Sequence, residues 1–148
     1  MKDMQFDVKT FIWKDLIRKM NKEFIICVII IVLIILGNNI TQDYTRNNIQ
    51  DISTELEKLE EELVVEEINL ENAKKHYYEI NKKWKDVKNI MSYFIEHDEL
   101  EKVETDLVGL NSFIDMKEEK EAVAELNRAI FVLKHIEDKN NLNLRNIF

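Results

Sequence analysis

Phe24-Ile25-Ile26-Cys27-Val28-Ile29-Ile30-Ile31-Val32-Leu33-Ile34-Ile35-Leu36 is a run of thirteen apolar residues without a break. As a helix it covers roughly 20 Å, short of a hydrocarbon core of about 30 Å. Three readings compete: a membrane anchor, the apolar part of a cleaved signal peptide, and a buried core helix. Cleavage wants small residues at two positions around the cut. Here Gly37-Asn38-Asn39-Ile40-Thr41 follows, and bulky Ile35 stands two residues ahead of Gly37. Cys27 lies early in the run behind Ile25 and Ile26, which does not suit lipid attachment. Local thinning, snorkelling of Lys22 and inclusion of Ile40 absorb the missing length. At about -0.5 kcal/mol per central Ile or Leu, insertion is favourable by several kcal/mol. The expectation is an uncleaved transmembrane anchor over residues 24–40.

Orientation follows from the flanks. Lys9, Lys14, Arg18, Lys19 and Lys22 precede the run, whereas Arg46 is the only basic residue between Leu36 and Lys58. Positive residues stay inside, so the expected protein is single-pass, in the cell membrane, with a cytoplasmic N-terminus. Residues 41–148 then form an extracytoplasmic domain. Within the cytoplasmic segment 1–23, Phe11, Ile12, Trp13, Leu16, Ile17 and Met20 alternate with lysines at helical spacing. That suits an interfacial helix with Trp13 at headgroup level, and equally a cytoplasmic extension of the anchor helix.

The rest of the chain reads as all-α. There is no proline among 148 residues and only two glycines, Gly37 and Gly109, so the turn chemistry of a sheet protein is missing. The single cysteine, Cys27, excludes an intrachain disulfide and any Cys-based zinc site. Of the net charge of -8, residues 38–148 carry -10 and residues 1–23 carry +2. An acidic outer domain repels phosphate, so no nucleic-acid partner is expected.

Four apolar seams follow the anchor. Ile49, Ile52, Leu56, Leu59 and Leu63 repeat at three-four spacing, the mark of a helix packed on helices. The pattern breaks near Ile68, with Asn69 placed to cap the next helix. Ala73, Tyr77, Ile80, Trp84, Val87, Met91 and Phe94 make the second seam, predicted to end near His97. Asp98 with Glu101 has capping-box spacing ahead of the third seam: Leu100, Val103, Leu107, Leu110 and Ile114. Asp115 with Glu118 repeats that spacing and predicts the start of a fourth helix. Its seam is Ala122, Leu126, Ala129, Leu133 and Ile136, widened by Val123, Ile130 and Val132. The tail from Leu142 to Phe148 follows a polar stretch.

Charge predicts how the helices pair. Nine acids and one lysine lie between Asp51 and Glu71, and six lysines and two acids between Lys74 and Lys88. Complementary flanks favour an antiparallel hairpin of the first two helices. That pairing gives the lysine run a structural reading in place of a polyanion site. A faint repeat of the second seam in the fourth, at Ala122 through Ile136, fits two stacked hairpins. The expected architecture is therefore an N-terminal transmembrane helix followed by a four-helix antiparallel bundle.

A more specific pattern runs through the second half. Trp84 is followed by His97-Asp98-Glu99-Leu100-Glu101-Lys102-Val103-Glu104, then Ala124-Glu125-Leu126, Leu133-Lys134-His135-Ile136, and the closing Leu144-Arg145-Asn146-Ile147-Phe148. In order and spacing this resembles the bacterial family known as domain of unknown function 4363, of endospore-forming Gram-positive bacteria. The resemblance covers roughly residues 24–148. The chain departs from it in a long charged N-terminal extension, and in Glu101 where the family favours aspartate. The resemblance implies an extracytoplasmic helical domain on a membrane stalk, with no assigned activity. It also implies a membrane-protein partner and a role in spore-membrane biology.

One constellation could carry chemistry. His97 and Glu101 share a helix face, Glu104 follows one turn on, and His135 could approach them from the fourth helix. Such a set can hold a metal in a helical bundle. The competing reading is that His97 and His135 cap helix ends, where the dipole favours His at C-termini. His76, beside Tyr77, reads as a solvated edge residue. Gly109 reads first as a point of close helix packing or as a simply tolerated glycine, and only second as a ligand contact. No nucleophile elbow, phosphate loop or Cys/His dyad is present. No catalytic residue and no cofactor are expected. The leading expectation is a membrane-tethered helical interaction protein, an accessory to a membrane-protein partner, with the lipid bilayer as its other contact and a homo-oligomer left open. The alternative is a sensor of metal or small ligand built on His97, Glu101, Glu104 and His135.

Overall fold

The computed structural model describes residues 22–65 and 69–140. Among the described residues there are four α-helices and no strand: α1, Lys22–Leu63; α2, Leu70–Met91; α3, His97–Met116; and α4, Glu119–Asn140. The N-terminal segment with Trp13, the position of Ile68 and the tail from Leu142 lie outside them. The chain divides into two compact units, Met1–Ile40 and Thr41–Phe148.

In the first unit the apolar run forms one helical stretch, and among the described residues nothing covers it. Its large side chains from Ile26 to Leu36 are 40% to 65% exposed. Beyond its chain neighbours and its own helix backbone, nothing stands within 4 Å of where a Cβ on Gly37 would be. This is one helix long and apolar enough to cross a bilayer. Among the described residues none of that stretch is buried, which counts against the buried-core reading.

The second unit is a helical bundle with a continuous apolar core. All of the first, third and fourth seams are buried, and in the second seam Ala73 through Met91. Val123, Ile130 and Val132 pack partly buried against that core, so the fourth face is as wide as its sequence implies. Each fully buried Leu or Ile contributes about 1.5–3 kcal/mol relative to exposure. Trp84, with no exposed surface, is the largest side chain inside.

Polar contacts tie each helix to two others. Between α1 and α2, Lys83 pairs with Asp51, and His76 meets Glu55 and Glu62. Between α2 and α3, Lys74 lies 2.6 Å from Asp115, and Lys88 pairs with Glu104. Thus the lysine run is shared: among the described residues Lys83 pairs with the acidic helix, and Lys74 and Lys88 turn to α3. Between α1 and α4, Gln50 donates to Glu137 at 2.8 Å, Asn127 to Glu60 at 2.9 Å and Asn140 to Thr45 at 2.9 Å.

The helix ends differ from the expectation in three places. Asn69 does cap α2, accepting from the Asn72 N–H at 3.1 Å. However, α2 stops at Met91, six residues before His97. The Ser92 hydroxyl donates to the Asn89 carbonyl, and Tyr93 and Phe94 bond three residues back, which tightens the chain into a turn. Phe94 then packs on the core from that turn. Secondly, α3 opens at His97 behind an extended Glu96 whose side chain makes no capping bond. Asp98 and Glu99 lie inside its first turn, where carboxylates favour the helix dipole without capping it. Finally, Asp115 caps nothing, because α3 runs on to Met116. The Lys117 N–H donates to Ile114 O and the Glu118 N–H to Phe113 O, a Schellman closure with Lys117 in the left-handed region at φ 62°.

Candidate functional site

His97 is the first residue of α3, so it cannot cap a helix C-terminus. Its Nε2 lies 3.2 Å from Glu101 Oε1, one turn along the same face, with both side chains more than half exposed. An exposed pair of this kind contributes little. Glu104, a turn further, is engaged by Lys88 of α2. His135 sits within α4, five residues before its end, and its Nε2 is 3.9 Å from Glu99 Oε1. The four candidate residues therefore enter three separate contacts. Only His97 and Glu101 meet, and the two histidines face different carboxylates.

Glu99, which the sequence reading passed over, is the buried acid of this region. Its side chain is 11% exposed and accepts from Lys139 Nζ at 2.9 Å. Lys139 also lies 3.0 Å from Glu96. Hydrogen bonds to Glu99 and then Glu96 hold its ammonium above the ordinary lysine value. The three close one side of a groove lined by Phe94, Ile95, Glu99, Ile136 and Asn140. One ammonium is shared by its two carboxylates, which it neutralises in part.

A second cluster corrects the reading of His76. Its ring is largely buried between two carboxylates of α1: Nε2 is 3.1 Å from Glu55 Oε2 and Nδ1 is 3.2 Å from Glu62 Oε1. Both ring nitrogens face acceptors, so only the doubly protonated ring can donate to both. Glu55 also accepts from Lys58 at 2.8 Å. That bond, and then the one from His76, lowers the Glu55 carboxyl below its ordinary value. The other oxygen of Glu62 is buried and has no hydrogen-bond partner among the described residues. The signal for this cluster was the acid-rich first helix opposite a histidine flanking the Tyr77 seam.

Between α3 and α4, Gly109 marks close packing. A Cβ there would stand 3.0 Å from Glu125 Cδ, and Glu125 is held by Arg128 at 2.8 Å. Nearby Asp106 is buried. Burial first, then the Glu125 charge, raises its carboxyl above the ordinary value, and Arg128 acts in the opposite sense.

Among the described residues, no group of three or more His, Cys, Asp or Glu side chains is placed to hold a metal ion. The ionisable clusters act as ties between helices: lysine to acid at Glu99 and Glu104, imidazole to acid at His76.

The sequence pattern of the family described as Domain of unknown function (DUF4363) matches residues 39–147. That stretch takes in the whole bundle and stops short of the apolar run. No curated protein and no solved structure matches the chain.

Proposed function

The chain belongs to the DUF4363 family, and from that premise we propose that it is a membrane-tethered interaction protein rather than an enzyme. In this reading residues 24–40 span the bilayer, the basic N-terminal flank stays in the cytoplasm, and the bundle works outside as an accessory to a membrane protein. The observation that carries it is the contrast within one helix. The apolar side chains of α1 from Ile26 to Leu36 are exposed, while Ile49, Ile52, Leu56, Leu59 and Leu63 of the same helix are fully covered. An uncovered run of this kind costs about 25 cal/mol per Å² of apolar surface in water, and a bilayer removes that cost.

An antiparallel bundle of two hairpins is the arrangement we propose for residues 41–140. The α1–α4 bonds support it: residues 45, 50 and 60 of α1 meet 140, 137 and 127 of α4, in opposite sequence order. Such a bundle has a closed core and a charged outer surface, suited to holding a fixed shape beside a partner. A place in the envelope biology of endospore-forming bacteria is the physiological setting we propose, on the family resemblance. Carbonate extraction of native membranes, with the intact mass measured, tests the tether. Retention at full length is expected, and a processed form beginning near Asn38 would overturn it.

A further inference from the structure

We propose that the turn between α2 and α3, residues 92–96, is a second membrane contact that lies in the lipid headgroup layer. The inference rests on the tether reading above and adds a surface to it. Tyr93 is 88% exposed, more than any other large apolar side chain described, and Ile90 beside it is 48% exposed. Phe94 and Ile95 complete the stretch, only partly buried. Four large apolar residues within six positions, at the tip of a helical connection, make a patch rather than a scatter of single exposures. Elsewhere on the bundle Tyr78, Val108 and Phe131 are exposed along helix faces, and Val64, Val65 and Met116 at the opposite end, where among the described residues no aromatic ring is exposed with them.

The fold fixes which end of the bundle carries this patch. Phe94 packs edge-on against Tyr44, with ring centroids 6.5 Å apart and planes at 85°. Asn140 donates to Thr45 at 2.9 Å, so the end of α4 is there as well. Tyr44 follows Leu36, the last residue of the apolar run, by eight positions. Even fully extended, eight residues reach no further than about 29 Å. A bundle tethered at Leu36 therefore cannot carry the Tyr44 end far from the bilayer.

The chemistry of the patch suits the headgroup layer and not the acyl core. Tyrosine brings an apolar ring and a polar hydroxyl, the combination enriched at membrane interfaces. The acids around it are partly neutralised, since Lys139 engages both Glu96 and Glu99. With residues 38–148 at -10, attraction to anionic lipid is not the driving term, so zwitterionic lipid is the partner the surface fits.

The test uses the full chain in phosphatidylcholine vesicles, with Cys27→Ala and a single environment-sensitive fluorophore on Ser92→Cys. Met116→Cys, exposed at the far end of α3 about 30 Å along the helix, is the control position. The expected result is blue-shifted emission at position 92, quenched by brominated lipid, with solvent-like emission at 116. Adding Tyr93→Ser should return the signal at 92 toward that of 116. If the chain stays with the vesicles while position 92 is as solvent-like as 116, the headgroup contact is wrong and the tether stands. If the chain does not stay with the vesicles, both readings fail. Shielding of position 92 in native membranes but not in pure lipid would overturn the lipid contact in favour of a protein partner.

Discussion

The side chain of Glu125 lies folded over Gly109, its Cδ 3.0 Å from where a Cβ on that glycine would stand. Two effects oppose each other there. Alanine in a helix interior is favoured over glycine by about 1 kcal/mol, but a methyl group would push Glu125 aside. The crowded atoms are the far end of a flexible side chain, so the neighbour can move. Gly109→Ala should therefore stabilise by less than about 1 kcal/mol, and Glu125→Ala should restore the full gain. Urea unfolding of the four chains of this cycle in detergent measures it. Strict additivity would show that Glu125 does not occupy the space.

Trp84 is fully buried, yet its indole Nε1 has no hydrogen-bond partner among the described residues. Trp84→Ala should cost about 3–5 kcal/mol, enough to unfold a small bundle. Trp84→Phe loses part of the volume but also removes an unsatisfied N–H, which costs about 1–3 kcal/mol when buried. The phenylalanine variant should therefore melt much closer to the parent than to the alanine variant. Equal losses for the two would mean that the indole N–H is satisfied.

Lys117 closes α3 in the left-handed region at φ 62°, a conformation that costs a residue with a Cβ about 1–2 kcal/mol. Its Schellman bonds come from the backbone and survive substitution. Lys117→Gly is expected to raise stability by about 1 kcal/mol, read as a higher thermal midpoint. A lower midpoint would show that the lysine side chain, rather than the backbone, holds this turn.

Acid should act on two carboxylates with opposite sign. Glu55 sits below its ordinary value of 4.5 because of Lys58 and His76. Its stabilising contribution is present above 4.5 and is lost as pH falls through the lower folded value. Asp106 sits above its ordinary value of 3.8 because of burial and Glu125. Its protonated form is the favoured one, so that contribution is present below 3.8 and is lost as pH rises through the raised folded value. At neutral pH, Glu55→Gln should destabilise and Asp106→Asn should stabilise. Both differences should vanish in strong acid, as followed by chemical unfolding across the pH range. Differences that persist unchanged in acid would remove the charge-based explanation.

The seams were legible because a heptad pattern needs only one chain to be read. Residues from Ile49 to Ile136 that recur at three-four spacing are buried, and Asn69 caps α2 as its side chain implies. The end of α2 was not legible. Ser92-Tyr93-Phe94-Ile95 contains no glycine or proline, and Phe94 continues the apolar spacing while standing in a turn. The clusters were less legible still, because they depend on how one helix is placed against another. His76 looks like an edge residue until Glu55 and Glu62 of α1 are placed on either side of it. Glu99 gives no sign that Lys139, forty residues away, takes up its charge. The same dependence undid the grouping of His97, Glu101, Glu104 and His135. Spacing along α3 was right for a shared face, but Lys88 claims Glu104 from α2, and His135 comes up against Glu99.

The central claim, that a single span separates a cytoplasmic N-terminus from an external bundle, is tested most directly by topology labelling in intact cells. With Cys27→Ala as background, one chain carries Glu57→Cys, at an exposed position on the bundle, and another carries Lys9→Cys. A membrane-impermeant maleimide should label position 57 in intact cells and position 9 only after lysis. Labelling of position 9 but not 57 before lysis would contradict the account by inverting the topology, and labelling of neither would place the bundle inside the cell.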